Sequence, residues 1–98
     1  MIIWKDVTTY KQGDAERKPN VIDCKLSKSI NLRVHKHIYF GEEWLLSCVF
    51  IGIERLQLNT TDIEEAKKLA LIKSKEKLMD MNFEILESLV LINNELLD

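Results

Sequence analysis

Proline occurs once in this sequence, at Pro19, and the three glycines all lie at or before Gly52. Nothing in residues 53–98 therefore forces a helix to stop. Cysteine is also scarce. Cys24 and Cys48 are too few for a disulfide scaffold, and no C-x-x-C spacing accompanies them. The first residues, MIIWKDV, carry a charge at the fifth position and lack the apolar stretch of a secretory leader. No apolar run reaches the roughly 20 residues of a membrane span. There is no internal repeat, no phosphate-binding glycine loop, no G-x-S-x-G and no H-E-x-x-H. These absences leave a single domain over residues 1–98, expected to be cytoplasmic with reduced thiols. They leave no catalytic residue, metal or cofactor to expect.

What is present is a balanced globular composition, 46% hydrophobic and 31% charged. The net charge of −2 hides an uneven distribution. Residues 1–40 hold eight Lys/Arg and four Asp/Glu, whereas residues 41–98 hold six and twelve. A near-neutral total argues against strong sequence-independent nucleic-acid binding and equally against a polyanionic mimic of DNA.

The first half alternates. IIWKDVTTY (2–10) is rich in β-forming residues and predicts a first strand or extended arm. KQGDAERKPN (11–20) is a charged loop. In VIDCKLS (21–27), Ile22, Cys24 and Leu26 share one face. INLRVHKHIYF (30–40) alternates in the same way. Asn31, Arg33, His35, His37 and Tyr39 fall on its polar side. Gly41–Glu43 reads as a short hairpin connection, and WLLSCVFIGI (44–53) as a central strand covered on both faces, with Gly52 at a bend or bulge. The second half is helical. Thr61-Asp62-Ile63-Glu64 fits a capping box, and the apolar periodicity then continues to Leu97 as one long helix, or two joined near Asp80–Asn82. The pattern predicts an α+β fold. An antiparallel sheet of three or four strands, about residues 2–58, is followed by a helical segment, about 61–97, packed on one face.

Two features bear on function. The strip Arg33, His35, His37 and Tyr39 combines base and aromatic on one strand, a combination suited to a macromolecular contact. Histidines spaced H-x-H supply two zinc ligands, and a third and fourth would need Asp23, Glu42, Glu43 or Tyr39 brought alongside by strand register, with no C-x-x-C or H-E-x-x-H to support them, so the strip is read without a metal. With the helix lysines Lys67, Lys68, Lys73, Lys75 and Lys77 it gives an alternative reading as a nucleic-acid-binding regulator. The second feature is the helix itself. At about 100° per residue, Ile63, Ala66, Ala70, Leu78, Met81, Ile85, Leu89, Ile92 and Leu96 cover one face. Ile72, Met79, Phe83, Leu86, Val90 and Leu97 form a second stripe. A helix apolar on two sides is buried on two sides. A chain this short has little left to cover the second, so Met79, Phe83, Leu86, Val90 and Leu97 are expected to pair with another copy in a homo-oligomer, most simply a dimer.

Two resemblances follow from particular residues. GIERLQLNTTDIEEAKKLALIKSKEKL (52–78) resembles the strand-to-helix unit of HicB-type antitoxins, where a loop precedes an E-E-A helix start. Ala66-Lys67-Lys68 is similar to the last-helix start of double-stranded-RNA-binding domains. The first helix and the GPxH-like loop of the latter family have no counterpart here. The resemblance implies topology only, over roughly 21–79, and carries no RNA-binding residue across. The chain also resembles, in style, small uncharacterised bacteriophage proteins. It opens with W-x-x-V-x-x-Y and continues with D-A-E-R-x-P, R-V-H-x-H-I-Y and W-L-L-S-C. That likeness implies a phage accessory or anti-defence factor in the host cytoplasm, binding an unidentified host protein, with no catalytic residue.

Overall fold

The computed structural model describes residues 1–11 and 18–97. Most of the charged loop read at 11–20 lies outside them. Five strands form one antiparallel sheet in sequence order: β1 (Trp4–Asp6), β2 (Val21–Lys25), β3 (Asn31–His35), β4 (Leu45–Cys48) and β5 (Ile53–Gln57). A single helix, α1 (Ile63–Leu97), follows. The fold is therefore α+β as the patterning implies, with one more strand than the upper expectation and one helix with no joint at Asp80–Asn82.

The extra strand comes from splitting the apolar run 44–53. After β4 the chain makes a 3-10 turn at Val49–Ile51, which Gly52 closes with φ 74° and an N–H donated to the Val49 carbonyl. A left-handed φ is cheap only for glycine. The chain reverses there, and β5 pairs back on β4. The run 30–40 is likewise shorter as a strand. β3 ends at His35, and Ile38–Phe40 form a second 3-10 turn that runs into Gly41 at φ 63°.

One face of the sheet holds Ile22, Cys24, Leu32, Val34, Leu46 and Cys48, all buried against the helix. Both cysteines are free thiols there. Strand β3 lies between theirs. At about 4.8 Å per strand spacing that separation exceeds disulfide reach. Burial pushes the Cys24 thiol above its ordinary value. Ala66 and Ala70, both fully buried, let the helix axis approach the sheet closely, and Ser74 extends the same line of small residues by one turn. Trp44 closes the upper end of the core. Its indole N–H donates to the Thr61 carbonyl at 3.1 Å.

The helix start differs by one residue from the capping box read in the sequence. The Asp62 carboxylate, not the Thr61 hydroxyl, accepts the Glu65 N–H at 3.0 Å, while the Thr60 hydroxyl accepts the Asp62 N–H at 3.1 Å. An aspartate at this position also matches the positive end of the helix dipole.

Packing on the sheet stops at Met81. Leu71, Leu78 and Met81 are half-buried against the core. From Asn82 to Leu97 every residue is exposed. A 35-residue helix is about 52 Å long, whereas a five-residue strand spans about 17 Å. The helix outruns the sheet, and its last sixteen residues project beyond the β2–β3 turn. The molecule measures 67 × 25 × 25 Å with a radius of gyration of 17.4 Å. A compact chain of this length would have about 13 Å.

Candidate functional site

Away from the helix, the sheet exposes a polar face built by strand alternation. Register places Lys5, Asp23, Arg33 and Ser47 in one cross-strand row. Val21, His35, Leu45 and Gln57 form the next, in which Leu45 is fully buried. Arg33 grips Asp23 with two parallel hydrogen bonds, Nε to Oδ1 at 2.8 Å and Nη2 to Oδ2 at 2.9 Å. The guanidinium holds the Asp23 carboxyl below its ordinary value, and the carboxylate raises Arg33 in return.

His35 sits beside this pair, half-buried. Its Nε2 lies 2.7 Å from the Ser47 hydroxyl and its Nδ1 lies 3.4 Å from the Lys36 carbonyl. Burial pushes the imidazole below its ordinary value of 6.5. The neutral ring fits both contacts, with Nδ1–H donating to the carbonyl and Nε2 accepting from the serine. Ser47 Oγ also accepts the Arg55 N–H at 3.0 Å. That contact marks a β-bulge. Leu46 faces Leu56 and Cys48 faces Ile53, so Ser47 stands opposite two residues, Glu54 and Arg55. Arg55 has φ 47°. A bulge leaves a backbone N–H off the ladder, and here the serine hydroxyl satisfies it.

A serine bonded to a histidine has the outline of a nucleophile and its base. Among the described residues, no carboxylate bonds to the imidazole. The far nitrogen of His35 meets a backbone carbonyl rather than a carboxylate, and Ser47 Oγ is already an acceptor for the bulge. The arrangement locks a strand irregularity, the serine hydroxyl donating to His35 while accepting the bulge N–H.

His37 and Tyr39 are not part of this cluster. His37 lies past the end of β3, and its Nδ1 accepts the Tyr39 N–H at 3.2 Å to cap the 3-10 turn. Its ring stacks on Tyr39 at 5.1 Å and meets the edge of Phe40 at 6.1 Å. Ile38 and Tyr39 are 88% and 86% exposed, at the sheet end where the helix begins. Lys36 lies 4.8 Å over the Trp44 ring and pairs with Glu42 at 2.9 Å. The strip read as one strand is thus two patches: Arg33 and His35 on the sheet face, His37 and Tyr39 on a turn at its edge. Among the described residues, no three His, Cys, Asp or Glu converge as metal ligands.

The largest unusual surface is the projecting helix. Phe83, Ile85, Leu86, Leu89, Val90, Leu91, Ile92, Leu96 and Leu97 are all exposed on it. Contiguous apolar surface on this scale is rare on a monomer and marks an interaction site. Ser47, Val49 and Phe50 escaped the sequence reading because the run WLLSCVF looks uniformly buried. Val49 is 91% and Phe50 59% exposed, at the sheet end from which the helix projects. The chain matches no known protein family, no curated protein and no solved structure. No helix among the described residues is long and apolar enough to cross a membrane.

Proposed function

We propose that this chain is a non-enzymatic interaction protein that assembles with copies of itself through its projecting helix and presents its sheet domain to a macromolecular partner. One observation carries the reading: of the sixteen residues 82–97, nine are large apolar side chains, and all sixteen are exposed in the single chain. Exposing so many costs far more than a few kcal/mol at roughly 25 cal/mol per Å². An isolated helix of this length would be marginal in water. Burial against another surface stabilises both.

The self-association residues are Met79, Phe83, Leu86, Val90 and Leu97. The partner-contact residues are Arg33 and His35 on the sheet face and His37 and Tyr39 at its edge. The likeness to small phage proteins fits a cytoplasmic binder of this kind. The nucleic-acid alternative has less support, because Arg33 is spent on Asp23 and residues 78–97 carry acids and no base.

The test is the mass of the protein in solution, compared with that of the double variant Leu86→Asp, Val90→Asp. Neither residue belongs to the core. The wild type should assemble, and the variant should fall to 11.5 kDa with its sheet signal intact. Equal masses for the two would remove the tail from the account.

A further inference from the structure

The proposal above leaves open how two tails meet. From the stripe on the side of the helix away from the sheet, we infer that they pair antiparallel, in one register, with residues 72–97 of each copy lying along the same residues of the other. This rests on the self-association reading and adds its geometry.

The stripe runs Ile72, Glu76, Met79, Phe83, Leu86, Val90, Asn93, Leu97, alternating steps of four and three. That is the a/d spacing of a coiled-coil seam. Its angular centre lies opposite the line Ala66, Ala70, Ser74 that faces the sheet, so the sheet obstructs none of it. Ile72 and Met79 are exposed even where the helix is packed, at 43% and 53%. The seam is therefore continuous for 26 residues, about 39 Å.

Any heptad seam has steps that read alike in both directions. The information lies in its residues. Only two members of this seam are polar, Glu76 and Asn93, and they sit at mirror positions about a midpoint between residues 84 and 85. Antiparallel pairing about that midpoint sets Ile72 against Leu97, Met79 against Val90, Phe83 against Leu86, and Glu76 against Asn93. Every apolar side chain meets an apolar one. The two polar interruptions share a layer near each end, where the Asn93 amide can donate to the Glu76 carboxylate. Parallel pairing would instead set Glu76 on Glu76, two like charges in a seam.

Charge is distributed unevenly along the helix. Between Ile63 and Lys77 the helix carries five lysines and three glutamates; from Leu78 to Leu97 it carries four acids and no base. In the antiparallel register the acidic end of one copy lies level with the lysine-bearing end of the other, with Glu95 on the side of the helix away from the seam. A parallel pair would lay acidic end on acidic end. Two adverse approaches oppose the antiparallel register, Asp80 of each copy beside Glu87 of the other on the flank of the seam, where a parallel pair would set Lys75 beside Asp80. The mirrored polar layers Glu76 and Asn93 therefore carry the inference. Ile85, Leu89, Ile92 and Leu96, which continue the sheet-facing side, stay outside this pairing and can join two such dimers.

Thiol crosslinking reads the register directly. Asp80 and Glu87 are exposed and, in this register, adjacent across the pair. An equal mixture of Asp80→Cys and Glu87→Cys, treated with a short bifunctional thiol reagent, should give covalently paired chains, and Asp80→Cys alone, whose two copies lie about 14 Å apart along the axis, should not. A mixture of Lys75→Cys and Asp80→Cys should not pair, because the antiparallel register holds those positions about 21 Å apart along the axis. Pairing of that second mixture instead of the first signals a parallel seam and overturns the inference while leaving self-association intact. A wild-type mass of 11.5 kDa overturns both.

Discussion

Ser47 does more than its position in an apolar strand suggests. Its single oxygen serves the Arg55 N–H and the His35 ring. Ser47→Ala removes the partner of the Arg55 N–H and of the His35 Nε2 and should destabilise the fold by about 1–3 kcal/mol in urea titration. A cost near zero would mean water replaces the hydroxyl freely. Ser74 presents the reverse case. It is buried in the helix–sheet interface with an Oγ that has no partner. Ser74→Ala should leave the midpoint unchanged or raise it, since removing an unsatisfied polar atom removes its desolvation cost. His35 and Asp23 set the acid limb of stability. Burial lowers the His35 pKa, so the unfolded chain binds the extra proton first. Stability should therefore decline as pH falls below 6.5, and His35→Gln should flatten that decline. Asp23, held down by Arg33, adds a second loss below 3.8. The pair is worth little in absolute terms, because Arg33 is half exposed.

At the scale of elements, the sequence shows periodicity well and boundaries poorly. Alternation in 21–27 and 30–35 correctly places Ile22, Cys24, Leu32 and Val34 on one buried face. The same alternation continues past His35 on paper, yet the chain leaves the sheet there. The 3-10 turn depends on the His37 cap and on Gly41, local contacts that a period-two pattern does not register. Splitting the strip into two patches follows from that one turn. The run 44–53 hid a reversal for a related reason, since apolar residues fill β4, the turn and β5 alike. The helix was legible over its whole length because nothing interrupts it, whereas its cap moved from Thr61 to Asp62, both being good capping types. Asp62→Ala should cost about 1 kcal/mol, read as a lower thermal midpoint. No residue beyond Met81 belongs to the core or packs against it. A chain ending after Asn82 should consequently fold, melt cooperatively and remain a monomer. If that truncation unfolds the sheet, the tail has a role within the domain that its exposure does not reveal.

The whole molecule is a small sheet domain on a long handle. Its long axis, in extents of 67 × 25 × 25 Å, comes from the handle. The sheet buries its own apolar face with one half of the helix, and the other half has no surface within the chain to meet. Physical economy then favours assembly, and the acidic outer edge of the tail keeps such an assembly soluble. Hydrogen exchange should report the same division. Amides from Ala66 to Leu78 should be protected at all concentrations, while those from Phe83 to Val90 should gain protection as concentration rises. The central claim is that residues 82–97 are an interface. Sedimentation equilibrium of the wild-type protein across a wide concentration range tests it most directly. The account predicts a mass of two chains or an even multiple; a particle of 11.5 kDa at every concentration would contradict it.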